Sequence, residues 1–451
     1  MSTAPRRVLI LGAGLVVKPL LDDLLQREDV EVELAALNVE RIHQLLAGHP
    51  RAHGLELDSA DTAGLNAAVG RAQVVVSLLP ADQHVRAAEA CLEHGAPLIT
   101  SSYVSPAMRA LDDEARRRGV LLLNEAGLDP GIDHAMASRA IRRIEAQGGC
   151  ILGYQSYCAG LPEPKANANP WGYKLSWTPR GVLLAARGSV RFLAGGEVVE
   201  RDSPYAEGIP QAMEIAGVGR LEGYPNRDSL AYREVYGLGN GGRHQLRDLI
   251  RGTLRYPGWC QTMRALLRLG LLSLDAEPAA GLTYAQWLAT KLPAGDGGLV
   301  ARLAATLGLD ADDDLISRLE WLGLLSDRPL DLPSRSDGNA APLDILAQRL
   351  QHKLQYQPGE RDLVILEHRL RYRLPGGQEQ QEAERLVLLG EAGDNSAMAT
   401  TVSLPAAIAC HLLLDGRLDL KGVHIPTVPA LADAILAGLA KRGIRIEEGE
   451  G

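Results

Sequence analysis

Phenylalanine is almost absent from this chain, which has 451 residues and a single Phe, at position 192. The apolar fraction is nevertheless 46%, an ordinary value for a globular protein. Leucine, alanine and valine must therefore supply the core volume that phenylalanine usually gives. The length predicts two or three domains.

An excess of basic residues is also missing. The chain carries 47 Lys and Arg against 56 Asp and Glu, which gives a net charge of −9 at pH 7. Non-specific binding to nucleic acid requires a basic face, so we expect no nucleic-acid partner. A small anionic substrate remains compatible with this net charge, because its binding depends on nearby arginines rather than on the charge of the whole chain.

Paired cysteines and long apolar runs are lacking too. The 5 cysteines are scattered and form no CxxC pair, so we expect neither a bound metal nor a disulfide framework. No apolar run reaches the length of a membrane span, and the N-terminus has no apolar signal core. We therefore expect a cytoplasmic protein with no membrane partner.

The first 130 residues alternate between short apolar runs and helical patterns. Such alternation is typical of βαβ units, and it predicts an α/β fold in which a Rossmann domain holds a doubly wound parallel sheet. The predicted strands cover residues 7–11, 31–37, 53–57, 73–79, 97–100 and 120–123.

The rest of the chain predicts a second domain of α+β class with a mixed sheet. A leucine-rich helical stretch interrupts its strands, which indicates an inserted helical subdomain. The predicted strands cover residues 151–157, 188–193, 362–372 and 382–389, the helical stretch about 261–353, and helices 133–147, 405–414 and 429–442.

Two glycines, Gly12 and Gly14, lie between the first strand and the first helix. The first permits a tight turn, and the second lets a pyrophosphate approach the N–H groups at the helix start. Val17 stands where the usual dinucleotide pattern has a third glycine. An ordinary strand-to-helix turn is the alternative, which the further βα units disfavour.

The choice between NAD and NADP is read at the end of the second strand, where a carboxylate suits NAD and an arginine suits NADP. Leu37 and Asn38 follow this strand, and Arg41 comes one turn later. The missing carboxylate favours NADP slightly. For Arg41, a place on a solvated helix face is the alternative.

The loop at residues 127–134 combines two carboxylates and an imidazole with residues that bend the backbone. Asp133 is predicted to cap the next helix. Asp129 has no comparable structural task, and it follows a predicted strand at the edge where open α/β sheets bind ligands. We therefore predict that Asp129 takes part in the chemistry.

Several further loops carry polar groups. Tyr103 follows the fifth strand in a hydroxyl-rich segment, whereas Cys158 by itself would be an ordinary buried thiol. Later segments expose arginines, among them Arg227. Since a guanidinium group binds a carboxylate in a planar bidentate pair, these loops together predict a substrate with several carboxylates.

These segments, in this order, resemble the saccharopine reductase family, the L-glutamate-forming saccharopine dehydrogenases. The resemblance covers nearly the whole chain and is densest between Ser101 and Tyr256. It is carried by the strings SSYVSPAMRAL, NEAGLDPGIDH, SYCAGLPEP, NPWGYKLSW, GYPNRDS, RGTLRY, EWLGLLSD and SAMATTVSLPAAIA.

The resemblance implies an enzyme that interconverts saccharopine with L-glutamate and 2-aminoadipate 6-semialdehyde, in lysine metabolism, with NADP or NAD. It implies catalytic roles for Asp129, Cys158 and Tyr103. Substrate binding would involve Ser102, Tyr103, Lys174, Arg227 and Thr253. Cofactor binding would involve Gly12, Gly14, Leu15, Val16, Asn38, Asp58, Leu79, Pro80 and Ser101.

The mixed sheet of the middle domain leads us to expect a homodimer, and the resemblance implies three domains. Their expected bounds are 1–130 with about 396–445 for the dinucleotide domain, 131–258 with about 356–395 for the substrate domain, and 259–355 for the helical subdomain. Fungal members carry an arginine where Leu37 stands, so this departure bears on the cofactor rather than on the reaction.

Two other functions remain open from the sequence. A related reductase could join a different amine to a different semialdehyde, as carboxynorspermidine dehydrogenase does. A non-catalytic NAD(P)H-binding protein is the second alternative. The loops rich in Tyr, Asp, Cys and Arg argue against the latter.

Overall fold

The chain forms two compact units in a computed structural model. Unit 1 comprises Met1–Leu152, Glu234–Gln245 and Leu363–Gly451, and unit 2 comprises Gly153–Arg233 and Leu246–Asp362. The residues that the structure describes are 5–239, 242–332 and 338–449.

The first elements alternate between strands and helices, as the sequence predicts. They are β1 (Arg6–Leu11), α1 (Val17–Leu25), β2 (Val30–Ala36), α2 (Val39–Leu46), β3 (Ala52–Glu56), α3 (Thr62–Val69), β4 (Val74–Ser77), a 3-10 turn (Ala81–Gln83), α4 (His84–His94), β5 (Leu98–Thr100), α5 (Pro106–Ala110), α6 (Asp112–Arg118), β6 (Leu121–Leu123) and α7 (Ile132–Ala146).

A mixed series follows, with strands first and helices later. Its members are β7 (Cys150–Pro162), α8 (Pro179–Ala185), β8 (Val190–Ala194), β9 (Glu197–Arg201), β10 (Gln211–Ile215), β11 (Gly219–Pro225), α9 (Tyr232–Val235), β12 (Asp248–Arg255), α10 (Trp259–Arg268), β13 (Glu277–Pro278), α11 (Tyr284–Ala289), α12 (Leu299–Leu307), α13 (Asp314–Leu322), β14 (Asn339–Ala340) and α14 (Pro342–Lys353).

The last elements belong to unit 1, apart from the first residue of β15. They are β15 (Asp362–Arg373), β16 (Glu379–Leu389), α15 (Ala397–Leu414), β17 (Gly422–His424), α16 (Pro429–Lys441) and β18 (Glu447–Gly449).

Unit 1 is organised around a seven-stranded parallel sheet with the order β17-β6-β5-β4-β1-β2-β3. Every strand pair in it is parallel, so all carboxyl ends lie at one edge. The order reverses between β1 and β4, which is the point where such sheets bind ligands. The predicted Rossmann sheet is confirmed, and β17 adds an edge strand that the sequence pattern did not predict.

Helix starts in unit 1 follow local capping chemistry. The Asn38 side chain accepts a hydrogen bond from the Arg41 N–H at 2.9 Å, and Ser105 accepts one from the Met108 N–H at 3.1 Å. Both residues are N-caps with extended backbone.

Helix α15 begins eight residues earlier than the sequence predicts. The prediction placed its start at Pro405, but Pro405 lies inside the helix. Tertiary packing outweighs the lost hydrogen bond, since most residues of α15 are buried. By length and composition alone α15 could also cross a membrane, although 67% of it is buried within the protein.

Unit 2 is built on a mixed sheet. Strands β10, β11 and β12 pair antiparallel, whereas β12 pairs with β7 in parallel. Its core is aromatic, and Phe192 is buried in it. The largest fully buried aromatic side chains all belong to this unit: Trp171, Trp259, Trp287, Tyr154, Tyr173 and Tyr284. The predicted α+β class is confirmed, and the three-domain division stays a prediction.

A buried carboxylate joins helix α1 to the late helices of unit 1. Asp23 accepts hydrogen bonds from Nε2 of His411 at 2.9 Å and from Nη2 of Arg442 at 2.8 Å. Burial alone would raise the pKa of Asp23, but these two bonds outweigh it and lower the pKa below its usual value. The cluster therefore stabilises the fold above the pKa of an unfolded aspartate, near pH 4, and loses this contribution as pH falls through the lower folded value.

Asp23→Asn is expected to lower the free energy of unfolding by about 3 kcal/mol at pH 7, because it leaves Arg442 without its carboxylate. The deficit should narrow as pH falls below about 4, where Asp23 of the unfolded chain is protonated, and should close as pH falls through the lower folded pKa. Urea unfolding at several pH values, followed by circular dichroism, measures both effects. The matched control is Asp22→Asn, since Asp22 is 44% exposed and, among the residues that the structure describes, forms an ion pair only with Lys18. An equal loss in both variants would contradict the expectation.

Candidate active site

The turn between β1 and α1 brings a glycine against the neighbouring strand end. Gly12 has φ +104°, and a Cβ added to it would lie 2.9 Å from the Leu78 carbonyl oxygen. A Cβ on Gly14 would meet nothing within 4 Å, so this residue faces open space. At the N-cap of α1, Val16 makes no side-chain cap, which leaves first-turn N–H groups available to an anion.

The predicted cofactor residues lie at the carboxyl ends of neighbouring strands. Leu37 follows β2 and is 66% exposed, and Leu15 in the glycine turn is 61% exposed. Asp58 follows β3, where its carboxylate accepts the Ala60 N–H at 2.8 Å. Leu79 and Pro80 follow β4. An open cradle with exposed apolar side chains fits an adenine dinucleotide.

His84 fixes the segment that carries Ser101 and Ser102. Its Nδ1 lies 2.9 Å from the Ser77 hydroxyl, and its Nε2 lies 2.8 Å from the Ser102 hydroxyl and 3.1 Å from that of Thr100. Burial lowers the pKa of His84 to about 4, so the ring is neutral at physiological pH. The sequence analysis did not single out His84.

Glu125 connects the loop of Tyr103 to the loop of Asp129. Its Oε1 accepts the Val104 N–H at 3.0 Å, and its Oε2 lies 2.6 Å from Nε2 of His134. On the other side of the ring, Nδ1 lies 2.9 Å from the Tyr236 hydroxyl. Glu125 and His134 are buried, and Glu125 adopts φ 58°, which is unusual for a residue other than glycine. Both residues stand in the string NEAGLDPGIDH, but their pairing needs the fold.

Backbone hydrogen bonds define the loop that presents Asp129. The N–H of Gly127 donates to the Pro130 carbonyl at 3.0 Å, and the N–H of Ile132 donates to the Gly127 carbonyl at 2.8 Å. Only glycine fits at position 131, because a Cβ there would lie 2.0 Å from the Gly127 oxygen. The peptide bond before Pro130 is cis. Asp129 remains partly exposed.

Asp133 does not cap α7, so that prediction is wrong. The N-cap is Gly131, and Asp133 lies within the first turn of the helix. Its carboxylate instead accepts the N–H of Gly131 at 2.5 Å. Because of the tight turn, the N-cap lies two residues before the predicted one. Asp133 stabilises the turn itself.

Ser101 and Tyr103 belong to the loop after β5, next to the Asp129 loop. A Cβ added to Gly127 would lie 3.0 Å from the Ser101 Cβ, so the two loops are in contact. Tyr103 is half-buried. Unit 1 thus brings together the predicted dinucleotide residues with Tyr103 and Asp129 at the carboxyl edge of one sheet.

In unit 2, strand pairing places Cys158 beside Thr253. Thr253 on β12 is opposite Cys158 on β7 and opposite Tyr224 on β11. Because side chains alternate along a strand, Arg255 lies on the same face of β12 as Thr253. Two predicted residues therefore share one face with Arg255, an arginine of the string RGTLRY.

Arg255 lies in an aromatic setting. Its guanidinium carbon is 4.9 Å from the centroid of the Tyr173 ring and 5.4 Å from that of Trp259. Burial raises the pKa of Tyr173, so this phenol stays neutral. Glu222 on β11 is opposite Arg255 in the strand register. Its carboxylate accepts hydrogen bonds from the N–H groups of Gly258 and Cys260 at the start of α10.

Within the described residues, Nε of Arg255 is buried without a hydrogen-bond partner. Its Nη1 donates to the Leu254 carbonyl at 2.8 Å. A part-buried cation that forms no ion pair with a carboxylate among the described residues is suited to bind the carboxylate of a ligand.

The two remaining predicted substrate residues have contrasting settings. Lys174 is buried and forms an ion pair with Glu360, with Nζ 5.9 Å from the centroid of the Tyr356 ring. Arg227 is exposed, and it adopts φ 56° in the loop after β11. Their roles in binding substrate stay predictions.

Family models match nearly all of the chain in two consecutive parts. The saccharopine dehydrogenase NADP binding domain matches residues 8–123, and the saccharopine dehydrogenase C-terminal domain matches residues 127–444. The first match contains the glycine turn and Tyr103. The second contains the Asp129 loop and the Arg255 region.

Known proteins from fungi and animals are similar over the same length. The chain is 33% identical to saccharopine dehydrogenase [NADP(+), L-glutamate-forming] of Schizosaccharomyces pombe, covering 98% of each chain. It is 34% identical to the Saccharomyces cerevisiae saccharopine dehydrogenase [NADP(+), L-glutamate-forming], and the match covers 98% of this chain and 99% of the relative. Mitochondrial alpha-aminoadipic semialdehyde synthase of Bos taurus is 33% identical, but the match covers only 47% of that longer protein.

A solved structure has the same fold. Apo histidine-tagged saccharopine dehydrogenase (L-Glu forming) from Saccharomyces cerevisiae superposes with a TM-score of 0.88 at 33% identity, covering 99% of this chain and 100% of that one.

Proposed function

The chain belongs to the saccharopine dehydrogenase family, and from this premise we propose that it interconverts saccharopine with L-glutamate and 2-aminoadipate 6-semialdehyde in lysine metabolism. It is an oxidoreductase that acts on a CH–NH bond with NADP(H). The similarity over the whole length of the L-glutamate-forming enzymes carries this conclusion. The glycine cradle, the open start of α1 and the missing carboxylate after β2 fit the cofactor.

NADP⁺, when bound, supplies the hydride acceptor for the carbon beside the secondary amine of saccharopine. The protein must take the proton from that amine and activate the water that splits the resulting imine. We assign the proton-accepting role to Asp129, because its partly exposed carboxylate lies on a rigid turn. Tyr103 and Cys158 are the further groups that can polarise the amine or relay a proton.

Substrate recognition is assigned to cationic groups. Saccharopine carries three carboxylates, and each requires a partner when it leaves water. Arg255 and Arg227 supply guanidinium groups for two of them, and Thr253 and Ser102 supply hydroxyl donors. Lys174 can contribute only by exchanging its present partner Glu360.

The direct test is a spectrophotometric assay at 340 nm with saccharopine and either NADP⁺ or NAD⁺. We expect reduction of NADP⁺ that depends on saccharopine, with glutamate and the semialdehyde formed in equal amounts. Turnover only with an amine substrate that has fewer carboxylates would contradict the proposal and favour a related reductase. Binding of NADPH without turnover of any substrate would indicate a non-catalytic protein.

Arg227→Ala is expected to raise the KM for saccharopine about tenfold with little change in kcat. A carboxylate contact made equally in the ground state and the transition state alters KM alone. Initial rates over a range of saccharopine concentrations measure the effect. Arg220→Ala is the matched control, because Arg220 is an exposed arginine on the same strand, β11, that precedes the Arg227 loop. An unchanged KM in Arg227→Ala would exclude the contact.

We further propose that the protein is a cytoplasmic homodimer with neither nucleic-acid nor membrane partners. The net charge of −9 supports the absence of a nucleic-acid partner. Light scattering coupled to size-exclusion chromatography should give twice the mass of one chain. A mass of one chain at micromolar concentration would contradict the dimer.

A further inference from the structure

The loop before α15 supplies a carboxylate to the end of β2. Arg41, in the first turn of α2, donates from Nη1 to Oδ2 of Asp394 at 3.1 Å and from Nη2 to Oδ1 at 2.5 Å. The two residues are 353 positions apart, so the fold rather than local sequence creates this bidentate pair. Their side chains are 24% and 40% exposed, which leaves the pair open to exchange with a solute.

Arg41 is the only cationic side chain in the segment that follows β2. Leu37 offers an exposed apolar surface, Asn38 uses its side chain to cap α2, and Glu40 is acidic. The end of this strand is where a Rossmann sheet reads the 2′ position of the adenosine ribose. A phosphate there must be neutralised by Arg41, and Asp394 already occupies one donor on each of its Nη1 and Nη2 atoms.

We propose that Arg41 binds the 2′-phosphate of NADP and that Asp394 is its exchangeable counterion, so that Asp394 sets how strongly the protein prefers NADP over NAD. This proposal rests on the NADP dependence given above and is independent of the second substrate. The 2′-phosphate must displace the Asp394 carboxylate or lie beside it, and the like charges lower the affinity. NAD has no such phosphate and leaves the pair intact.

The test uses two fragments of the cofactor and the full chain. Adenosine 2′,5′-bisphosphate carries the 2′-phosphate, and adenosine 5′-monophosphate lacks it. Isothermal titration calorimetry gives the Kd of each for the wild type, Asp394→Asn, Arg41→Gln and the double variant. No amine substrate is present, so failure of the proposed reaction cannot affect the result.

Asp394→Asn is expected to tighten binding of the bisphosphate about fivefold, the scale of one exposed charge pair, and to leave the monophosphate within about twofold. Arg41→Gln should weaken the bisphosphate about tenfold or more, again with little change for the monophosphate. In the double variant the gain from Asp394→Asn should shrink, because the donors that the carboxylate occupies are gone.

Asp433→Asn is the matched control. Asp433 accepts a hydrogen bond from Arg142 in another exposed pair of unit 1, with side chains 37% and 53% exposed for Arg142 and Asp433. If Asp433→Asn tightened binding of the bisphosphate equally, the effect would come from the change in net charge alone, and the proposal would be overturned. Weaker bisphosphate binding in Asp394→Asn, equal changes for both ligands, or no bisphosphate binding by the wild type would also overturn it.

Discussion

Asp129→Asn is expected to lower kcat for saccharopine oxidation by about a hundredfold or more, the usual scale of lost acid–base catalysis. The variant removes the charge but keeps the size of the side chain. The loop around it is held by backbone hydrogen bonds between Gly127, Pro130 and Ile132, which the substitution leaves in place. Steady-state rates across pH measure the loss, and the limb of the pH profile that reports the catalytic base should disappear.

Two further measurements separate chemistry from folding at Asp129. Binding of saccharopine to Asp129→Asn, followed by calorimetry, should stay within a few fold of the wild type. Asp419→Asn serves as the surface control, because the Asp419 side chain is 90% exposed. A kcat for Asp129→Asn close to the wild-type value would remove Asp129 from the mechanism.

Arg255→Met is expected to raise the KM for saccharopine about a hundredfold, because a buried charge-assisted contact with a carboxylate is worth roughly 2–3 kcal/mol. Methionine keeps much of the packing between Tyr173 and Trp259, so the change acts mainly on charge. Arg255→Lys should recover part of the affinity, since it restores the charge without the planar fork. Initial rates at varied saccharopine concentrations give both values.

Arg349→Met is the matched control for Arg255. Arg349 is a buried arginine of unit 2 and, like the part-buried Arg255, has an aromatic contact, with its guanidinium carbon 5.4 Å from the centroid of the Tyr284 ring. Unlike Arg255, it has a carboxylate nearby, Asp331 at 3.7 Å. Its substitution should lower Tm without changing KM. If Arg255→Met likewise lowers Tm and leaves KM unchanged, Arg255 contributes to packing and not to substrate binding.

Local sequence patterns were sufficient for the parallel sheet apart from its edge strand β17, but not for the N-cap of α7, which is Gly131 rather than Asp133. The predicted strands occur because each apolar run is short and is followed by a turn, and Asn38 and Ser105 cap helices through contacts three residues away. The glycine turn was predictable for the same reason. The similarity of this chain to saccharopine dehydrogenases in sequence and fold agrees with the resemblance that the longer strings carry.

Contacts between residues far apart in the sequence could not be predicted from local patterns. Glu125 meets His134 only after the intervening loop has folded back, and Tyr236 reaches His134 from 102 residues away. Arg255 shares a face with Cys158 and Thr253 because of strand register, which depends on a sheet rather than on a segment. The early start of α15 has the same origin, since burial of the helix overrides the local signal of Pro405.

The parallel sheet of unit 1 has a consequence for biosynthesis. Its edge strand β17 pairs with β6, although some three hundred residues separate them in the chain. A ribosome must therefore translate the chain as far as β17 before this sheet gains its last strand, and until then the β6 edge is exposed to aggregation. A premature stop codon ahead of Gly422 would damage the nucleotide-binding half of the protein, even though most of that half is encoded first.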